Sequence, residues 1–281
     1  MGKAMADEFP IAKAAFEEAD DALGFSISRL CFEGPEDELK KTENTQPALV
    51  AVSTAQCRVL MAEKGIVPDI VAGHSLGEYS ALVAAGSLEF GDALRLVRKR
   101  GQYMQEAVPL GVGAMAAILK MPLDALDSVL AEAAQGEIVT AANLNSPDQI
   151  VIAGHAAAVG RAMELAKAAG AKRCIPLPVS APFHCPLMSP AQQRLKADLD
   201  ATAFHELKFP LVNNYAAQLV ATGAEARQGL YEQIPNPVQW IASMRLIIAE
   251  GAETFYEAGP GNVLAGLLRN IDSARAVTPF A

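Results

Sequence analysis

Ile66-Val67-Pro68-Asp69-Ile70-Val71-Ala72, Gly73-His74-Ser75-Leu76-Gly77 and Glu78-Tyr79-Ser80-Ala81-Leu82-Val83-Ala84-Ala85 follow one another without a break. The first stretch is an apolar run ahead of a glycine and reads as a buried strand. The last has helical patterning up to Gly86. Between them stands a serine with one glycine two residues before it and another two residues after. Glycines so placed let strand and helix approach closely, and leave the serine oxygen exposed at a strained apex. The plainer alternative is a turn in which Ser75 only N-caps the helix. A strand immediately before and a helix immediately after favour the nucleophile.

Working outward, apolar residues at helical spacing (Phe9, Ala12, Ala15, Phe16, Ala19) predict an amphipathic helix from Asp7 to about Leu23. A second runs from about Thr45, with Pro47 near its first turn, to the Gly65 stop. A third runs from Gly91 to about Glu106, with Leu94, Leu96 and Val97 inward and Arg95, Arg98, Lys99 and Arg100 on its other faces. From about Gly113 to Val179 the grammar becomes strand (114–119), helix (122–134), strand (138–144), strand (149–153), helix (156–169), strand (172–178). This βαββαβ order is the ferredoxin-like unit, which can bury its own core and be inserted in a host domain. Loop, helix, a strand near 209–213, a helix around 238–250, a strand at 254–257 and a last helix after Gly259-Pro260-Gly261 complete the chain. The expectation is an α/β protein: a core of 1–112 and 180–281, with 113–179 as a ferredoxin-like subdomain.

With 281 residues, 51% of them hydrophobic, the chain can fill a sizeable core. No run approaches the roughly 18 apolar residues of a membrane span, and the start, Met1 to Glu8, lacks a signal peptide's apolar core, so the reading is cytoplasmic. A net charge of −9 without a long basic run speaks against nucleic acid as a partner. The cysteines Cys31, Cys57, Cys174 and Cys185 are scattered, and no metal site is expected.

A serine oxygen needs a base to take its proton. His74 adjoins the serine and should point away from it, as packing or polar support. His155 lies at a strand-to-helix junction and His205 in an undistinguished stretch. His184 sits in Ala181-Pro182-Phe183-His184-Cys185-Pro186, where two prolines stiffen a loop and would fix an imidazole, which makes it the best base of the four. Cys185 as a rival nucleophile is set aside. Arg100, if it faces inward, has a planar fork suited to a carboxylate, which would imply an acidic acyl substrate.

Six segments carry a resemblance: Gly73 to Leu82, Arg100-Gly101-Gln102-Tyr103-Met104-Gln105, Asn143-Leu144-Asn145-Ser146-Pro147, Val179 to His184, Gln233 to Trp240, and Glu257 to Leu264. In order and over nearly the whole chain, they resemble the malonyl-CoA:acyl-carrier-protein transacylase family of fatty-acid synthesis. The resemblance implies a Ser-His dyad on an α/β-hydrolase-like core with a parallel sheet. It assigns Ser75 as nucleophile and His184 as base. Gln233 supplies the main-chain carbonyl that accepts the second ring N–H, Leu76 one oxyanion-hole N–H, and Arg100 the partner of malonate's free carboxylate. His74, Phe183 and Asn143 are placed at the substrate pocket, and a bulky ring at Phe183 leaves little room for an α-methyl branch. No bound cofactor is implied. The partners implied are a coenzyme A thioester and the phosphopantetheine of acyl carrier protein, the latter met through basic residues among Arg98, Lys99, Lys172, Arg173 and Arg269, and the enzyme would be a monomer.

One departure bears on activity. Members of the family open with an apolar strand and a Phe-Pro-Gly-Gln-Gly-type loop, and here both are missing ahead of Met1-Gly2-Lys3-Ala4-Met5. The expectation is a sheet short of one strand and a lost oxyanion donor, which costs on the order of 10²–10³ in rate. Two rivals stay open: a serine esterase or thioesterase, which would need an acidic third member such as Asp124, Asp127 or Asp148, and an inactive form that only binds acyl carrier protein.

Overall fold

The computed structural model describes residues 1–179, 181–278 and 280. It opens on helices: α1 (Lys3–Glu8), α2 (Pro10–Leu23), α3 (Ile27–Glu33), α4 (Glu36–Lys40) and α5 (Thr42–Glu63). The single helix expected from Asp7 is two. Phe9 is extended, at φ −114° and ψ 115°, and Pro10, without an N–H to donate, begins a new helix instead of continuing the old one. Neither α3 nor α4 was legible, since each is too short to show a period.

The strand expected over 66–72 shrinks to β1 (Val71–Ala72). Its partner β6 (Leu211–Val212) is equally short, and Pro68 interrupts the donors that a longer ladder would need. After β1 come α6 (Gly77–Ala84) and α7 (Phe90–Glu106). Along α7 the buried residues Ala93, Val97, Arg100 and Met104 share one stripe, so the arginine, expected on another face than the inward one, lies on the apolar face, packed among core residues.

Next follow β2 (Gly113–Leu119), α8 (Leu126–Ala134), β3 (Val139–Ser146), β4 (Gln149–His155), α9 (Ala156–Ala168) and β5 (Arg173–Pro176). The sheet order is β3-β4-β2-β5, antiparallel throughout, which is the ferredoxin-like arrangement. Its faces alternate with the period of two. Ala116, Ile118, Ile150 and Ile152 pack under α8 and α9, while Met115, Ala117, Val151 and Ala153 pack against Cys185, Phe183 and Leu187. The small sheet is therefore the floor on which the His184 loop rests.

The chain ends with α10 (Ser189–Ala201), β6, β7 (Leu219–Val220), α11 (Gly223–Gln233), α12 (Trp240–Ala249), β8 (Phe255–Tyr256), α13 (Val263–Ile271) and β9 (Val277–Thr278). The expected parallel sheet is a mixed one: β1 pairs parallel with β6, β6 antiparallel with β7, and β8 with β9 form a separate parallel pair. Among the described residues, β1 and β8 are each paired on one side only, and both line a cavity of about 540 Å³. The parallel register, Val71 opposite Leu211 and Ala72 opposite Val212, matters most for the site. It brings the carboxyl ends of both strands together, so the turn at Ser75 and the residues after Val212 meet.

Candidate active site

Ser75 sits at φ +50° and His184 at φ +57°, both in the left-handed region that L-residues rarely occupy. Each conformation needs outside support. At Ser75 it comes from Asn214, just past β6: its Oδ1 accepts the Ser75 N–H at 2.6 Å and its Nδ2 donates to the Gly73 carbonyl at 2.7 Å. Gly73 has a steric reason to be glycine, because a Cβ there would lie 2.0 Å from the carbonyl carbon and oxygen of Gly77. Gly77 does not: a Cβ there meets nothing within 4 Å, so only half of the expected glycine pair is explained by close approach.

The proline-braced loop delivers His184 to the serine. Nε2 lies 2.7 Å from Ser75 Oγ, and Nδ1 lies 2.9 Å from the main-chain oxygen of Gln233, at the end of α11. A carbonyl only accepts, so Nδ1 carries the proton and Nε2 is left free to take the hydroxyl's. Burial, and then the Arg100 charge, push the imidazole down to about 3. It is therefore neutral, as a base must be, across the physiological range. The loop residue Ser180 lies outside the described residues.

Arg100 is 2% exposed, and its guanidinium reaches three neutral oxygens: Nη1 donates to Gln46 Oε1 at 2.8 Å, and Nη2 to Ser75 Oγ at 3.0 Å and Gln233 Oε1 at 2.9 Å. Nε has no partner among the described residues, and the Tyr79 ring lies 5.7 Å away. No carboxylate is in contact with this buried cation among the described residues.

The other expected residues fall in different places. Leu76 is buried, and its N–H carries no hydrogen bond among the described residues. His74 turns away from the hydroxyl: Nε2 donates to Asn145 Oδ1 at 2.7 Å, and the ring tilts against Trp240. Phe183 is half-buried between the main core and the small sheet. Asn143 is bridged through its main chain to Val238, and no side-chain hydrogen bond from it to the dyad is present among the described residues. Cys185 is buried, donates to the Pro182 carbonyl and has its thiol pushed up to about 11 by burial, an inert state. Among the described residues no group of three or more His, Cys, Asp or Glu is placed to hold a metal ion, and no helix is long and apolar enough to cross a membrane.

Three participants escaped the sequence reading. Asn214 gave one usable signal, an amide pair directly after a short apolar strand. Gln46 gave none. Glu78, fully buried, accepts at Oε2 from Gln233 Nε2 at 2.7 Å and from Asn214 N at 3.0 Å, while Oε1 has no partner among the described residues. Burial pushes its carboxyl up to about 7.

Comparison with known proteins agrees with this architecture. A family model described as "Acyl transferase domain" matches residues 1–277. The malonyl CoA-acyl carrier protein transacylase of Escherichia coli K12 is 49% identical over 267 residues, 95% of this chain and 86% of the relative. That of Bacillus subtilis strain 168 is 50% identical over 273 residues, 97% of this chain and 86% of the relative. Among solved structures, the Coxiella burnetii transacylase superposes with a TM-score of 0.96 at 43% identity, covering 98% of this chain and 87% of that one. A malonyl-transacylase solved in complex with a type II polyketide acyl-carrier protein gives 0.96 at 45%, covering 99% and 90%. The chain belongs to the acyl transferase domain family, in its malonyl-CoA:acyl-carrier-protein transacylase branch.

Proposed function

We propose that the chain transfers a malonyl group from malonyl-CoA to the phosphopantetheine thiol of acyl carrier protein, through an ester on Ser75. The observation that carries this reading is the contact of a buried arginine, without a carboxylate partner, with the nucleophile of a Ser-His pair. Ser75 Oγ attacks the thioester carbonyl as its proton passes to His184 Nε2. The C–S bond breaks, and the departing sulfur takes that proton. The incoming thiol then gives its proton to His184, attacks the ester, and Ser75 recovers its hydrogen. The Leu76 N–H serves the oxyanion in both halves, Arg100 holds the malonyl carboxylate, and Gln233 keeps the imidazole in the required tautomer. Residues 113–179 act as an inserted subdomain that supports the His184 loop.

The hydrolase alternative needs a carboxylate on His184 Nδ1, and that position is held by the Gln233 carbonyl. Asp148, in the exposed turn between β3 and β4, pairs with Lys120, just past β2, instead. Of the basic residues considered for an acidic carrier protein, Lys99 is paired with Asp198 and Arg98 stacks on Phe25, whereas Lys172, Arg173 and Arg269 are exposed. The last three are the better candidates for that contact.

Intact-protein mass spectrometry after mixing with malonyl-CoA tests the scheme. The expected result is one malonyl adduct on wild type, none on Ser75→Ala, and loss of the adduct on adding acyl carrier protein bearing phosphopantetheine. Absence of the adduct from wild type, or its persistence in Ser75→Ala, would sink the assignment.

A further inference from the structure

We infer that Glu78 is a positioning residue which, through Gln233, aims Arg100 at the carboxylate of the acyl group; this rests on the malonyl-transfer reading above. The Gln233 carboxamide has three neighbours. Its Nε2 donates to the Ser75 carbonyl at 2.9 Å and to Glu78 Oε2 at 2.7 Å, and its Oε1 accepts from Arg100 Nη2 at 2.9 Å. Turned over, the amide would set its oxygen against two acceptors and its N–H groups against a guanidinium, so only one orientation is compatible with the site. Of the two acceptors that fix this orientation, Glu78 Oε2 makes the shorter contact, 2.7 Å against 2.9 Å.

The same Glu78 oxygen also accepts from Asn214 N, and Asn214 holds the Ser75 amide. One carboxylate oxygen thus ties the support of the arginine to the support of the nucleophile. A merely space-filling role does not account for the choice of residue. Glu78 is 0% exposed with Oε1 unpartnered among the described residues, and a buried carboxylate is harder to accommodate than an apolar side chain of similar size. Its separation from Arg100 is informative too. With the carboxamide in between, the guanidinium is not occupied by a direct ion pair that a substrate carboxylate would have to displace.

The test uses the full chain with Glu78→Leu and Glu78→Gln, and measures kcat/KM for acyl-enzyme formation from malonyl-CoA and from acetyl-CoA. Glu78→Leu should lower the malonyl value about tenfold or more while the acetyl value falls by far less. Glu78→Gln keeps an oxygen able to accept the same two N–H bonds and should recover most of the malonyl preference. Should the leucine variant fail to fold, Glu78→Ser, which leaves room for a water, is read in its place. Equal losses on both donors, an unchanged malonyl-to-acetyl ratio, or no rescue by glutamine would each overturn the positioning role. Wild type that takes no malonyl group at all would instead sink the functional reading itself.

Discussion

Arg100 touches Ser75 in the resting site, with Nη2 donating to Oγ at 3.0 Å while His184 Nε2 lies 2.7 Å from the same oxygen. A cation placed there opposes the chemistry in two ways. Its hydrogen bond occupies a lone pair of the attacking oxygen, and its charge is the second cause, after burial, that holds the imidazole low. On the reading proposed above, a carboxylate arriving on Arg100 would relieve both, so the acid group of the substrate would strengthen the base that acts on it and link recognition to reaction.

Arg100→Ala separates these effects. Acylation by malonyl-CoA should fall by about 10², the scale of a lost charge-assisted pair. Removing a nearby cation raises a histidine pKa, so the acid limb of kcat/KM for acetyl-CoA should move to higher pH. It should stay below about 6.5, because burial, the larger cause, remains. A limb that does not move would show that Arg100 is not felt by His184.

Gly73 and Gly77 look alike in the sequence and should behave differently. A Cβ at Gly73 would lie 2.0 Å from Gly77 main-chain atoms, whereas one at Gly77 meets nothing within 4 Å. Gly73→Ala should be insoluble or strongly destabilised and take no acyl group. Gly77→Ala, at the first position of α6, should fold with a melting temperature near that of wild type. Circular dichroism melts decide between them, and a well-folded Gly73→Ala would contradict the close approach.

Asn214→Leu removes the bonds to Ser75 N and the Gly73 carbonyl at nearly constant volume. Each buried group left unpaired costs about 1–3 kcal/mol. The melting temperature should fall, and acylation by malonyl-CoA and acetyl-CoA should fall in parallel, because the nucleophile itself is misplaced. A loss confined to malonyl-CoA would assign Asn214 to the arginine instead.

How much of this was legible in the sequence follows the range of the interactions. The turn at Ser75 is local: an apolar run, two glycines and a helix carry the information in adjacent residues. The small sheet was readable for the same reason, since β2, β4, α8 and α9 are long enough to show their periods. The stripe of Ala93, Val97 and Met104 would even have settled that Arg100 faces inward. By contrast, β1, β6, β7, β8 and β9 are two residues each and have no period to detect. Asn214 and Glu78 act across 136 residues of chain, and only the parallel register of β1 with β6 brings them together. The main-chain carbonyl of Gln233 leaves no trace in residue type, so its role came from resemblance alone.

Glu78 also makes stability depend on pH in a direction that can be worked out. Burial pushes its carboxyl from 4.5 up to about 7, so between these values the folded chain holds a proton that the unfolded chain releases. Stability from this group therefore falls as pH rises through that window and is level above it. His184 acts in the opposite sense. Its pKa is lowered from 6.5 to about 3, so the unfolded chain binds more protons in between, and stability rises with pH up to about 6.5. The two largely offset each other between roughly pH 4.5 and 6.5, and substituting one isolates it. Glu78→Gln should gain on wild type from pH 5 to pH 8 by on the order of 2 kcal/mol, read as a difference in melting temperature that widens with pH. A difference that is constant or narrows would mean that Glu78 keeps its charge at little expense in the folded chain. A widening one means that above about pH 7 the fold carries a buried carboxylate where an amide would be more stable, as expected if the site, and not the core, requires it.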